Sequence, residues 1–152
     1  MMRTVLPLCV SLGLTLCFAP NAPARADPLL TFPLKIAGHS LRAEIANTEQ
    51  SRLRGLMFRR SLPENQGMIF VYPEEGRHAM WMKNTPIPLS VAFIDRDGRI
   101  LNIEHMEPHS ERSHASAGDA KYALEVNRGW FDRRGIGPGD RVEGLKKIPP
   151  PR

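Results

Sequence analysis

The chain has 152 residues, 41% of them hydrophobic and 24% charged, with a formal net charge of +5. That balance excludes a disordered polymer and a polytopic membrane protein, and the small charge excess gives no support to nucleic-acid binding. The length suits one compact domain and is short for two.

Arg3 precedes an apolar run from Val5 to Ala19, and Ala24-Arg25-Ala26 stands before Asp27. This charged, apolar, small-x-small order is that of a secretory signal. The run is shorter than the about 20 residues that span a bilayer, so cleavage after Ala26 is expected, with Ala22-Pro23-Ala24 as a second possible site. The expectation is an exported protein, periplasmic or extracellular, with residues 1–26 removed, a single domain over 27–148 and a Pro-rich tail over 149–152. No stable membrane anchor is expected after cleavage. Loss of Arg3 and Arg25 lowers the net charge from +5 to +3. Cys9 and Cys17 leave as well, so the mature chain has no thiol for a disulfide, a nucleophile or a thiolate metal site.

Phe32, Leu34 and Ile36 alternate, Gly38-His39 punctuates, and Leu41, Ala43 and Ile45 alternate again, which predicts a hairpin with one buried face. Asn47, with Gln50 three residues on, predicts the cap of a short helix from Thr48 to about Leu56, ended near Gly55. A strand is expected from Gly67 to Tyr72, and others over Arg77 to Lys83 and Ser90 to Asp95. Between the last two, Asn84-Thr85-Pro86-Ile87-Pro88 reads as a rigid loop, since each proline removes a backbone donor. Asp95-Arg96-Asp97-Gly98 reads as a hairpin turn returning over Arg99 to Met106. Glu107 to Asp119 is expected to be a polar loop, Lys121 to Val126 a strand, and Trp130 to Arg134 a second short helix capped by Asn127. A glycine-rich turn then feeds a last strand from Arg141 to Leu145, before a solvated Pro149-Pro150-Pro151 tail. The fold class is therefore mainly β: one compact barrel or sandwich, jelly-roll-like, of seven or eight short strands with two short helices over its ends.

Several runs carry a family resemblance: Gly55-Leu56-Met57-Phe58-Arg59, Gly67-Met68-Ile69-Phe70, Trp81-Met82-Lys83-Asn84-Thr85-Pro86-Ile87-Pro88-Leu89, Ala92-Phe93-Ile94-Asp95, and Leu124-Glu125-Val126-Asn127-Arg128-Gly129-Trp130 with Gly139-Asp140. Over about Leu34 to Val142 the chain resembles the domain of unknown function 192 (DUF192) family. The resemblance implies a compact, mainly β domain, often exported in bacteria, and no established reaction. Ser90 departs from the pattern, in which many relatives resemble Leu-Asp, so an acidic role cannot be carried to that position.

For chemistry, the first candidate is Trp81 with Lys83, Asn84 and Thr85, at a corner stiffened by Pro86 and Pro88. Lys83 offers a point charge for a small anionic ligand, and Asn84 and Thr85 offer donors and acceptors around it. This predicts a noncatalytic module, monomeric and without cofactor, that binds a small anionic ligand or a protein partner. An alternative is copper(I) capture by His78, Met80 and Met82, although i and i+4 on a strand stand about 13 Å apart. Another is a hydrolase whose site gathers Lys83, Asn84 and an acid such as Glu104 or Glu125. His105, His109 and His114, with Glu104, Glu107 and Glu111, match no metal-ligand spacing and read as solvated loop residues. Asp95-Arg96-Asp97-Gly98 lacks the rest of a calcium loop. Arg52, Arg54, Arg59, Arg60, Arg133 and Arg134 form basic patches without interleaved aromatics, read as solvated surface. Glu125, Trp130 and Asp140 are assigned structural roles.

Overall fold

The computed structural model describes residues 30–152; the expected signal segment and its cleavage point lie outside them. Strands β1 (Thr31–Ile36) and β2 (His39–Ala46) make the predicted hairpin, with Ile36 opposite His39. Its turn uses Ala37 and Gly38, at φ of 46° and 85°, which suits the right-handed twist of the flanking strands. β3 (Gln66–Gly76) runs beyond the expected Tyr72 and through Pro73, with an irregularity in its pairing between Val71 and Gly76. β5 (Leu89–Ile94), β6 (Ile100–Met106) and β8 (Ala120–Asn127) fall close to the strands expected over Ser90 to Asp95, Arg99 to Met106 and Lys121 to Val126.

Other expectations need correction. Of Arg77 to Lys83, only Ala79–Met80 is strand, β4, and it pairs outside the main sheet with β7 (His114–Ala115), inside the segment expected to be loop. The helix α1 is Glu49–Arg54, capped by Thr48 and not by Asn47. Thr48 Oγ1 accepts from the Ser51 amide at 3.1 Å and Ser51 Oγ from the Thr48 amide at 3.0 Å. Asn47 is engaged instead with the C-terminal tail: its Nδ2 donates to the Pro150 carbonyl at 2.9 Å, and the Arg152 amide donates to its carbonyl at 2.7 Å. The tail is thus fastened to the domain and is not a free solvated end. The second helix shrinks to a 3-10 turn at Asp132–Arg134, and the Asn127 amide group bonds the Leu62 carbonyl rather than capping it. The last strand, β9, is only Val142–Glu143.

Seven strands form one sheet in the order β6-β5-β8-β3-β2-β1-β9, and β4 with β7 forms a small ribbon. All neighbours in the large sheet are antiparallel except β2 and β3. The sheet curls until its edge strands meet: the Ile100 amide donates to the Asp140 carbonyl at 2.9 Å and the Val142 amide to the Gly98 carbonyl at 2.8 Å. The fold is of the expected mainly β, barrel- or sandwich-like class: a curled seven-stranded sheet with a separate two-stranded ribbon, nine strands among the described residues where seven or eight were expected.

Both faces of the sheet are covered. Leu34, Ile36, Ile69, Ala92 and Leu124 fill the interior with Trp130 and Phe131, whose turn plugs the end where β8 finishes. A second core, including Met68, Phe70, Met82, Leu89 and Phe93, lies on the outer face. It exists because a parallel pair requires a crossover. The crossover from β2 to β3 carries α1 and lays Leu56 and Leu62 over that face. α1 itself buries no residue, so it stands as a raised wall beside the sheet.

Candidate functional site

That wall encloses a hollow of about 270 Å³ between α1, the end of β3 and the segment from Ala79 to Thr85. Its sides include Leu53, Phe70, Met80 and Trp81, and Glu125 lies in its lining. Glu125 belongs to β8, opposite Met68 of β3 and Val91 of β5, in the middle of the outer core. It is 3% exposed. Burial pushes its carboxyl up to about 8, because ionisation there loses hydration without a compensating hydrogen bond or cation. Glu125 is therefore largely a neutral acid near pH 7, a donor aimed into an apolar hollow.

Two glycines shape the approach. A Cβ on Gly67 would stand 2.4 Å from the Glu125 carbonyl oxygen, so glycine there permits β3 to lie tight against β8. Gly55 ends α1 at φ 47°, and a Cβ on it would meet the Phe70 ring at 3.2 Å.

Tyr72 and Arg52 also line the hollow. The Tyr72 ring stacks on His78 at 3.6 Å between centroids, and its hydroxyl donates to Met80 Sδ at 3.2 Å. Burial, then the nearby Glu125 charge, raises the phenol above its ordinary range, against a smaller opposing effect of Arg52. Arg52 Nη1 donates to the Val71 carbonyl at 3.1 Å, which bridges α1 to β3 across the hollow's edge.

The corner expected to carry the site is only partly in it. Trp81 and Thr85 line the hollow; Lys83 and Asn84 do not. Thr85 Oγ1 donates to the Lys83 carbonyl at 3.1 Å, a local turn, and the Lys83 ammonium lies 5.2 Å from the Trp81 ring centroid. Asn84 sits at φ 55°, with its carbonyl taken by the Phe58 amide at 2.8 Å. For soft metal, His78 Nε2 is 3.0 Å from the Glu74 carbonyl, Met80 is held by Tyr72, and Met82 is core. The three therefore do not share a free coordination space. Among the described residues no group of three His, Cys, Asp or Glu side chains could hold a metal ion.

The remaining polar residues serve the fold. Glu107 pairs with Arg128, and buried His114 lies 3.6 Å from Glu104. Asp95 Oδ1 accepts from the Asp97 and Arg99 amides, the expected hairpin turn, and Asp140 accepts from the Gly137 amide. Ser90 makes an unanticipated cluster: its Oγ is 2.8 Å from His105 Nδ1 and accepts from the Gly129 amide at 3.0 Å, while His105 Nε2 is 3.5 Å from Asp132. The residue types are those of a hydrolytic triad, but Ser90 is 0% exposed. Sealed from solvent, that oxygen helps to fasten β5 and β6 to the plug turn.

Sequence reasoning named Glu125 only as one possible acid of the hydrolase alternative and otherwise gave it a structural role; its burial beside the hollow was not foreseen. The signal that could have found it is Val91-Ala92-Phe93-Ile94 with Met68-Ile69-Phe70-Val71. Runs apolar on both sides mean a sheet covered on both faces, where a strand acid must be buried.

The profile of one family matches residues 32–144: DUF192, described as "Uncharacterized ACR". The chain belongs to the DUF192 family. Among solved structures, this DUF192 protein is similar to one from Sinorhizobium meliloti described as a candidate transcription regulator. The identity is 38%, the TM-score 0.76, and the match covers 80% of this chain and 98% of that one. It is also similar to a protein of unknown function from Novosphingobium aromaticivorans, at 37% identity and TM-score 0.74, over 80% of this chain and 89% of that one. No curated protein matches.

Proposed function

We propose that this DUF192 protein is an exported, noncatalytic binding module whose site is the hollow over Glu125. Its ligand is a small, largely apolar molecule that presents an oxygen acceptor to the neutral carboxyl. The observation that carries this reading is a buried acid, free of protein partners, opening onto apolar and aromatic walls. Arg52 and Arg54 at the edge suit a ligand with anionic character at its outer end. Binding without catalysis follows from the lining: Thr85 already donates to its own loop, and Glu49, the other acid, stands on the exposed rim. Export rests on the order of Arg3, the Val5 to Ala19 run and Ala24-Arg25-Ala26.

The test is a fragment screen by NMR below pH 7 with aryl ketones, aryl carboxylates and aryl amines. Ketones or carboxylates should shift resonances of Glu125, Trp81 and Met80. Glu125→Gln, which keeps a donor, should retain binding, and Glu125→Leu should abolish it. A preference for amines, or binding indifferent to Glu125→Leu, would overturn the assignment.

A further inference from the structure

Leu53, Phe58 and Trp81 are 70%, 68% and 47% exposed, three of the four large hydrophobic side chains that stand in solvent among the described residues. Leu53 and Phe58 are close in sequence, and the fold brings Trp81 from beyond β3 to join them. Leu53 and Trp81 share the hollow over Glu125, Leu53 and Phe58 line a shallower one beside it, and the Phe58 amide bonds Asn84, next to Lys83. Phe58 is held at φ 65°, a conformation a bulky residue adopts only against strain, and it sends its ring into water instead of into either core. Contrary to the sequence reading of a patch without aromatics, Phe58 stands within the basic run from Arg52 to Arg60, and the fold brings Trp81 beside it.

Arg54 lines both hollows, the Lys83 ammonium lies by the Trp81 ring, and exposed Arg60 follows Phe58 by two residues; none has an ion-pair partner among the described residues, whereas Arg59 is bound by Glu44 at 2.8 Å. Glu49 is the acid on this rim. We propose that this face is a reversible docking surface for an anionic lipid bilayer, with Leu53, Phe58 and Trp81 entering the headgroup region and Arg54, Arg60 and Lys83 meeting the phosphates. A protruding apolar cluster with an indole, ringed by cations, matches the layered chemistry of that interface. A protein epitope would instead call for charges of both signs set against one another. The hollow opens on the same face, so docking turns its mouth toward the lipid.

The experiment uses the chain from Asp27, because both cores lie in the described residues and the Val5 to Ala19 run would bind lipid by itself. Vesicles of phosphatidylcholine alone are compared with vesicles containing phosphatidylglycerol, by co-sedimentation and tryptophan emission. Trp130 is buried in the barrel, so a blue shift reports Trp81. Expected is a blue shift and co-sedimentation with the anionic vesicles, at least about tenfold weaker on phosphatidylcholine or in high salt. Leu53→Asp with Phe58→Asp should abolish it, and Arg54→Glu with Lys83→Glu should weaken it at least about tenfold. Glu125→Leu, which abolishes ligand capture at the hollow, should leave docking intact, and this separates the two. Equal binding to both vesicles, no binding, or binding unchanged by either double variant would overturn the proposal. So would a dimer in light scattering that the same variants abolish, which would give the face to a second copy.

Discussion

The burial of Glu125 in the outer core has a consequence for stability. Its folded carboxyl is raised from 4.5 to about 8. Between those values the folded chain holds a proton that the unfolded chain has released. Stability therefore falls as pH rises through this window, by up to about 1.4 kcal/mol per pH unit, and this group adds no further change above it. Glu125→Gln should remove that slope and be the more stable form at pH 9, as measured by urea unfolding across pH 5 to 9. Parallel profiles for the two proteins would show that the acid is hydrated. Ser90 makes a second residue-scale case. Removing its hydroxyl leaves the Gly129 amide and His105 without their partner, so Ser90→Ala should cost about 1–3 kcal/mol despite the small change in volume, read as a lower urea midpoint at an unchanged slope. Neither role was legible from neighbours in sequence. Both depend on which strand lies beside β8 or β5, and pairing partners are set by the whole sheet.

α1 shows what an element contributes when it buries nothing. Six residues are well below the about 12–15 that an isolated helix needs, so its order rests on the Thr48–Ser51 cap, the Gly55 stop and the Arg52 bond to Val71. Thr48→Ala removes about 1 kcal/mol of capping. Because no core contact is lost, the effect should stay local: amide exchange in α1 quickens about fivefold, ligand affinity at the hollow drops, and Tm stays nearly constant. Hydrogen exchange read alongside a melting curve checks this, and equal acceleration throughout the barrel would contradict it. Element by element, legibility followed burial. β1, β2 and β8 announced themselves by period-two alternation, and β5 by an apolar run, because each is long enough to show its facing. β4, β7 and β9 are two residues each and carry no period. The cap was misread by one position because Asn47 and Thr48 are both good cap residues. Only the bond from Asn47 to Pro150, 103 residues away, decides between them. The stiff corner at Asn84 to Pro88 was read as presenting polar groups; of it only Thr85 borders the hollow, and the Thr85 hydroxyl and the Asn84 carbonyl are engaged by backbone groups.

At the scale of the whole molecule, the barrel depends on a slender closure. β9 contributes two residues to the sheet, and the junction with β6 runs through Gly98, Ile100, Gly139 and Val142. Gly98 takes φ 84°, and a Cβ there would lie 2.9 Å from the Val142 carbonyl, the backbone unit whose amide bonds Gly98. A side chain at this position both strains the Asp95 to Gly98 turn and pushes the edges apart. Opening the seam would wet Ile100, Val142 and Leu145 of the inner core while leaving the outer core over Met68 and Phe70 in place. Gly98→Val should therefore destabilise the chain by about 2–4 kcal/mol, lowering Tm by roughly 6–15 °C for a domain of this size. Exchange should rise first at Ile100 and Val142, and Trp130 emission should shift to the red before Glu125 loses its raised pKa. Loss of both signals together would instead mean that the two cores form one cooperative unit, with the seam no weaker than the rest of the sheet.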